Sequence, residues 1–466
     1  MKSNPTPRSL GLLLALALIS GGAGAASSQA QVPERAETLR LSLSDAIRRA
    51  LSDGTAARIA NSRIDEAGAR ALEARSALQP QLSFGGLAAN ESLNLATFGL
   101  PSPPGESSVV GPFNVVDAHL TFAMNVIDLA AKRRYEAARA GIRVSEEDRR
   151  RTENDVAAAV ASLYVAVGRA GARIDSIQAN VSLFEKLRDL AADQKKAGVG
   201  TKLDTTRAEV QLARQRQALL VAGNQRDLAL LALLRAIGAD FGTPLELAED
   251  WRQQAAAPEL PAAIDAARSG RPELALYDER LRAADLKIKA AEAEKLPTLG
   301  LQAQAVENGN RVRDLEWNRT IGAAVTIPLF TGRRIEARVA EARAQRDQVA
   351  LEKHETERQI EQEVRQALLA WKNARSRVEL AEQSEKLADD ELELASDRFK
   401  AGVAPSIEVD NAQTSLAAAR DQRIDALADE AQSRFDLARA TGQIRELIPQ
   451  TDDFQMKAQH DRGEGR

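Results

Sequence analysis

Histidine and cysteine are the side chains most often used for metal binding and nucleophilic chemistry, and this chain uses them sparingly. Its 466 residues include three histidines, His119, His354 and His460, and no cysteine. The surrounding patterns place the histidines on a strand, on a helix and in a polar tail, without metal-ligand spacing or a neighbouring nucleophile. The formal net charge of -4 is small and does not suggest nucleic-acid binding. We therefore expect no enzyme activity and no cofactor.

Two acidic residues occupy the same position in a repeated segment and are the strongest functional candidates. Asp204 and Glu408 each follow an Ala-Gly-Val sequence and are 204 residues apart. Carboxylates that surround one opening favour cations over anions. The alternative is local, because Thr201 and Asp204 fit the capping-box pattern that stabilises a helix N-terminus without any pore. If the register of the second copy differs from this alignment, Asp410 is the acid that would replace Glu408.

Glu408 belongs to a long helical hairpin. An uninterrupted helical pattern runs over about residues 333–400, stops at a Gly/Pro-containing turn, and resumes over residues 406–440. About 65 residues at about 1.5 Å each give a rod about 100 Å long. The apolar side chains recur at spacings of four and three, as in helices that pack side by side. They are Ile360, Val364, Ala367, Trp371, Ala374, Val378 and Ala381.

The same hairpin occurs 204 residues earlier in the chain. Ala197-Gly198-Val199 corresponds to Ala401-Gly402-Val403, and the heptad positions of the two long helices coincide. A gapless register over about a hundred residues indicates an internal duplication, and common α-solenoid repeats are too short to explain it. We predict a first structural repeat over residues 43–238 and a second over residues 260–447, joined by a connector over residues 239–259. Each repeat would comprise a helix, two strands, a long helix, a turn and another helix.

The two ends of the chain differ from the repeats. Basic residues precede an apolar run over residues 10–19 and a Gly/Ala-rich stretch, which is typical of a signal peptide over residues 1–25. A second possible cleavage site follows Ala30. A transmembrane anchor is the alternative, but a run of about ten apolar residues is shorter than the roughly 20 that span a bilayer. Residues 448–466 are polar, and we expect them to be disordered.

Two pairs of alternating segments precede the long helices. Each segment has about ten residues, the length that crosses a bilayer as a tilted strand. The alternative is a soluble β-hairpin on a core, although no other sheet partners are evident in the chain. The apolar residues of the return strands that we expect to face lipid are Leu120, Phe122, Met124, Ile321, Val325 and Ile327.

Four strands per chain have a consequence for assembly. About eight strands are the minimum for a transmembrane barrel, and an open edge in lipid would leave backbone groups unpaired. If the strands lie in a membrane, the chain must associate: two copies supply eight strands and three supply twelve. Within each copy, the two shorter helices together match the long helix and can stack end to end beside it.

With these motifs assembled, the chain resembles the TolC-like outer-membrane efflux protein family over essentially its whole mature length. The likeness rests on Ile327-Pro328-Leu329-Phe330 with Gly332, on Phe399-Lys400-Ala401-Gly402-Val403, and on the repeated Ala-x-Gly ends at Gly238 and Gly442. The first strand-to-helix junction, Asn125-Val126-Ile127-Asp128, departs from the pattern because it lacks the Pro and Gly. The absence of cysteine separates the chain from lipid-anchored members.

The resemblance implies a mixed α+β membrane protein that is mostly α. Its expected assembly is a homotrimer in the bacterial outer membrane, in contact with lipid. A trimeric twelve-stranded transmembrane β-barrel would continue into a periplasmic α-helical barrel of internally duplicated chains. The implied function is the exit duct of a tripartite efflux or type I secretion system, supplied by an inner-membrane pump and a periplasmic adaptor protein.

Two sites follow from this interpretation. The turns at Gly198, Val199, Gly402 and Val403 would dock the adaptor, because they lie farthest from the strands. The alternative is that the glycines only permit tight turns. In a trimer, Asp204 and Glu408 would place six carboxylates around the periplasmic mouth, and family members have acids in the corresponding segment. The rival hypothesis is a periplasmic coiled-coil adaptor or scaffold, disfavoured because such proteins resemble single hairpins flanked by small β-domains.

Overall fold

The computed structural model describes residues 39–101, 107–198, 200–248, 251–252, 257–401 and 403–447. The predicted signal peptide and the predicted disordered tail lie outside these ranges, as do Val199 and Gly402.

The described chain is mostly helical, and one order of elements occurs twice: two helices, two strands, a very long helix and a shorter helix. The helices are α1 (Leu43–Ser52), α2 (Thr55–Ser76), α3 (Leu129–Lys196), α4 (Lys202–Ala236), α5 (Leu260–Gly270), α6 (Pro272–Ala293), α7 (Arg334–Lys400) and α8 (Ser406–Ala440). The strands are β1 (Leu39–Leu41), β2 (Gln81–Asn94), β3 (Val109–Ile127), β4 (Leu245–Leu247), β5 (Thr298–Gly309) and β6 (Glu316–Thr326).

The first helix of each half, predicted to be continuous, is broken. In the first half α1 ends at Ser52, and a Cβ at Gly54 would overlap the carbonyl oxygen of Ala50. In the second half Arg271 is extended, with ψ 116°, because Pro272 at the first position of α6 disfavours helical backbone in the residue before it. Glycine and proline therefore divide both helices.

The C-terminal ends of α4 and α8 pack against these two breaks. A Cβ at Gly238, just after α4, would lie 2.9 Å from the carbonyl oxygen of Asp53. A Cβ at Gly442, just after α8, would overlap the backbone of Gly270. Both glycines have positive φ, 70° and 77°. The Ala-x-Gly ends thus allow α2 and α4, and likewise α6 and α8, to stack end to end.

The helices form a layer four helices wide. In the half near the strands, α3 packs between α2 and α6, and α6 packs on α7; in the other half, α3 packs on α4 and α8, and α8 packs on α7. Most of the predicted heptad positions of α7 are buried, including Val364, Trp371 and Val378. By length and composition α3 could cross a membrane. Here it is a central helix of the layer.

The four long strands form one antiparallel sheet in the order β2-β3-β5-β6. This strand order matches the side-by-side order of the helices to which the strands connect, α2, α3, α6 and α7. β3 has 19 residues and β2 has 14, both longer than the expected ten. β6 ends at Thr326, so Ile327, predicted as a strand residue, lies just beyond the strand, where Pro328 cannot donate to a ladder. A second small sheet pairs β1 with β4 in parallel and gives the connector a partner that the sequence did not indicate.

Candidate functional site

The register of the sheet separates apolar from polar side chains. Phe122 lies opposite Ala303, which lies opposite Ile321, so these side chains share a face. Pairing and alternation place Leu120, Met124 and Val325 on that face as well. The remaining predicted residue, Ile327, is exposed but outside the strand.

The opposite face of the sheet is polar. It carries Thr121 opposite Gln304, and Gln304 opposite Thr320. On the same face Nδ1 of His119 lies 2.6 Å from a carboxylate oxygen of Asp117. A sheet with one apolar and one polar face suits a barrel wall between lipid and water.

The two strand-to-helix junctions begin their long helices differently. In the first, Asp128 caps α3, and its carboxylate accepts a hydrogen bond from the backbone N–H of Ala131 at 2.8 Å. In the second, Gly332 and Arg333 have positive φ, 60° and 66°, and no side chain caps α7. The side-chain cap explains how the first junction can lack the Pro and Gly of the second.

The turn between α3 and α4 is a capped helix start. The hydroxyl of Thr201 donates to Asp204 Oδ2 at 2.6 Å, and the backbone N–H of Thr201 donates to the same oxygen at 3.0 Å. The backbone N–H of Asp204 donates back to the Thr201 hydroxyl at 3.3 Å. The capping box considered from the sequence is thus present, whether or not Asp204 also faces a pore.

The turn between α7 and α8 has different chemistry. Pro405 occupies the N-cap of α8 and offers no side-chain hydrogen bond. Glu408 Oε2 instead lies 3.6 Å from Nε of Arg398, near the end of α7. The two predicted pore acids therefore have different partners.

Asp410 is the acid of α8 that interacts with the first tip. Burial raises the pKa of its carboxyl above the ordinary value, the positive charge of Arg207 lowers it, and the negative charge of Asp204 raises it. The structure thus brings Asp204 and Asp410 within electrostatic range of each other. The sequence alone indicates Asp410 only as a substitute acid if the register differs.

The predicted docking turns are open at their tips. Gly198 has a φ of 76°, and its exposed position follows the last turn of α3. The side chain of Val403 is 69% exposed. An exposed valine at the end of a polar hairpin is available for contact with another protein.

Comparisons with known proteins agree with this architecture. The family model described as "Outer membrane efflux protein" matches residues 46–239 and 263–443. The chain is 26% identical over 254 residues to outer membrane efflux protein BepC of Brucella suis, covering 53% of this chain and 54% of that protein. It is 24% identical over 311 residues to the pyoverdine export outer membrane protein OpmQ of Pseudomonas aeruginosa, covering 66% and 65%. These alignments span about half to just under two thirds of the relatives.

Solved structures match over a larger share of the chain. The CmeC outer membrane channel of Campylobacter jejuni aligns with a TM-score of 0.72 at 18% identity, covering 89% of this chain and 88% of that one. The outer membrane protein VceC of Vibrio cholerae aligns with a TM-score of 0.69 at 19% identity, covering 86% and 96%. At this identity the likeness shows a shared fold.

Proposed function

The chain belongs to the outer membrane efflux protein family and is therefore an outer-membrane protein, and from that premise we propose that it is the exit duct of a tripartite export system. The duct would be a homotrimer, with a twelve-stranded barrel in the outer membrane and a helical tunnel in the periplasm. An inner-membrane pump and a periplasmic adaptor would supply its cargo, for efflux or for type I secretion. The repeated order of elements supports an internal duplication, with repeats over residues 43–238 and 260–447.

The observation that carries this proposal is the open, two-faced sheet. Within the described chain, β2 and β6 each have a neighbour on one side only. Backbone groups on an open edge cannot be satisfied in lipid, so β6 of one copy must pair with β2 of the next. A head-to-tail contact of this kind produces a ring when the rotation closes. Three copies would close it with twelve strands.

The helices at the two edges of the layer, α4 and α7, offer a second contact between neighbouring copies. On α7, Leu380, Leu387 and Leu394 recur every seven residues and are 64–69% exposed. On α4, at the other edge of the layer, Leu220, Leu228 and Leu231 are also exposed. Apolar stripes on the two opposite edges can cover each other between neighbouring copies. This contact would extend the ring from the barrel along the tunnel.

The remaining site assignments follow from the orientation of the duct. The apolar face of the sheet would contact lipid, including Leu120, Phe122 and Ile321. The helical tips would face the inner membrane, where Val199 and Val403 would dock the adaptor. Asp204, with Glu408 and Asp410, would form an acidic mouth that favours cations.

The oligomeric state and the membrane association test the proposal. We expect the detergent-purified protein to have the mass of three chains and to leave the outer membrane only with detergent. Replacing Leu380 and Leu387 by Glu should reduce the oligomer to smaller species, because it buries charge in the contact between copies. Leu380→Met with Leu387→Met is the matched control and should keep the mass of the unmodified protein. A folded monomer in the membrane, or release by salt alone, would refute the proposed duct.

A further inference from the structure

A groove on the helical layer, close to the sheet, is not used by the proposed function. It contacts α2, α3, α6 and α7 and has a volume of about 800 Å³. Because α3 and α6 lie between α2 and α7, a single groove that contacts all four helices lies on one face of the layer. If three copies close a ring with this face inward, the groove lies in the concave wall of the tunnel.

The lining of the groove combines a smooth apolar floor with cations. Alanine and glycine supply most of the floor, including Ala137, Gly141 and Ala284. The ionisable residues of the lining are Arg70, Arg134, Arg280, Lys287, Glu294 and Glu352. Each copy thus has four positive groups against two negative ones in the groove.

Two of these four cations have carboxylate partners. Arg70 forms an ion pair of 2.6 Å with Glu66, outside the groove. Arg134 lies 3.8 Å from Glu294, which also binds Arg338 at 2.7 Å. One carboxylate shared among arginines does not cancel the charge of Arg134, so the groove keeps a positive excess even beside Glu294.

Arg280 and Lys287 are two turns apart on one face of α6. Within the part of the chain that the structure describes, neither forms an ion pair, and the guanidinium of Arg280 lies over the ring of Tyr277 at 5.1 Å. Their neighbours on α6 are paired: Arg282 with Glu279 at 2.6 Å, and Asp278 with Lys353 at 2.7 Å. Glu352 also lines the groove but is not within ion-pair distance of either cation.

We propose that this groove binds anionic molecules during their passage, and that Arg280 and Lys287 hold the anionic group. The inference rests on the proposed function as an export duct. Cations in a concave wall focus a positive potential on the lumen, and charge-assisted hydrogen bonds to them suit a carboxylate, phosphate or sulfonate. The alanine floor favours an apolar body beside that group, so the ligand class is an organic anion with a flat or aliphatic core. Gln345 and Gln348 on α7 supply further polar groups in the lining.

The test uses benzene-1,3,5-tricarboxylate as the probe, with inorganic phosphate for comparison. Single-channel currents through the purified full chain should show concentration-dependent block by the tricarboxylate. The double variant Arg280→Gln with Lys287→Gln should raise the half-blocking concentration about tenfold, because charge-assisted hydrogen bonds are lost. Lys289→Gln is the matched control: it removes one charge from the same helix outside the groove and should leave the block unchanged. Block by phosphate at an equal concentration would show that the apolar floor is not part of the site.

A binding measurement separates this inference from the proposed function. Calorimetric titration of the detergent-solubilised protein with the tricarboxylate needs no conduction, so it tests the groove even if no channel forms. Saturable binding that is lost in the double variant and kept in Lys289→Gln supports the site. Conducting channels whose block and binding are the same in all three proteins would overturn it. An unchanged oligomer mass for the double variant excludes misfolding as the cause of a loss.

Discussion

The two helical tips share one backbone plan and have different side-chain chemistry. Both join a very long helix to a 35-residue helix through a short turn. The first tip starts α4 with Thr201, whose capping box engages Asp204; the second starts α8 with Pro405, which leaves Glu408 to approach Arg398. Residues that match in a repeat register can therefore have different partners.

The difference extends to charged residues whose counterparts in the other copy are uncharged. Asp410 corresponds by register to Thr206, and Arg207 corresponds to Asn411. The structure brings Asp410 of the second tip near Arg207 and Asp204 of the first. A duplicated chain can thus build one mixed charge cluster from two non-identical tips, with residues that do not occupy equivalent positions.

The largest effect should come from placing a charge on the apolar end of each tip. Val199→Asp and Val403→Asp keep the neighbouring glycines but add a carboxylate where the adaptor would dock. We expect export and site-specific crosslinking to the adaptor to fall at least tenfold, since burying an unpaired charge is costly. Export assays and crosslinking in intact cells measure both.

Val199→Thr and Val403→Thr are the controls, because threonine has nearly the shape of valine without the charge. They should retain most of the export. If one Asp variant abolishes crosslinking and the other does not, the adaptor distinguishes the two tips. Normal crosslinking in both Asp variants would show that docking lies elsewhere.

The second prediction concerns ion selectivity at the mouth. Asp204→Asn with Asp410→Asn should lower the cation selectivity several-fold, because it removes two neighbouring carboxylates per chain. Asp204→Asn with Glu408→Gln should have a smaller effect, since Arg398 already offsets the charge of Glu408. Reversal potentials in planar bilayers under a salt gradient measure the ratio. Equal selectivity in all three proteins would leave Asp204 with its capping role alone.

Local periodicity predicted much of the fold, and non-local contacts account for what it missed. Heptad spacing and alternation indicated the long helices, the turns and the two faces of β3 and β6. The sequence did not indicate the pairing of β1 with β4, because strands of three residues carry too little pattern. The environment of Asp410 was also unpredictable, because it depends on charges of α4 that lie about 200 residues earlier in the chain.

The third prediction concerns the helix starts. Thr201→Ala removes the capping box and should destabilise the start of α4 by about 1 kcal/mol. Pro405→Thr gives α8 the sequence Thr-x-x-Glu and should stabilise its first turn by a similar or smaller amount. Hydrogen exchange of the first-turn amides measures each effect. Thr201→Ser, which keeps the hydroxyl, is the control. Equal exchange in Thr201→Ala and the unmodified protein would contradict the cap.

The smallest effect concerns the pH dependence of the tip. The pKa of Asp410 is raised above 3.8, chiefly by burial, with Arg207 opposing and Asp204 adding to the rise. The folded state therefore binds this proton more tightly than the unfolded state does. The stability that protonation contributes is fully present below the unfolded pKa and is lost as the pH rises through the folded pKa. Asp410→Asn should then stabilise the start of α8 at pH 7, but only by about 0.5 kcal/mol or less, because solvent screens the charges around this half-buried carboxyl.

At about pH 3, where the carboxyl of Asp410 is largely protonated in both states, that gain should nearly disappear. Arg207→Gln removes the opposing charge, so the gain from Asp410→Asn at pH 7 should be larger in that background. Hydrogen exchange of the first turn of α8, after correction for the intrinsic pH dependence of exchange, measures both comparisons. A loss of stability in Asp410→Asn at pH 7 would mean that the attraction between Asp410 and Arg207 outweighs the cost of burial. The charge cluster between the tips would then stabilise their contact, and the two unlike copies would be held together by the residues in which they differ.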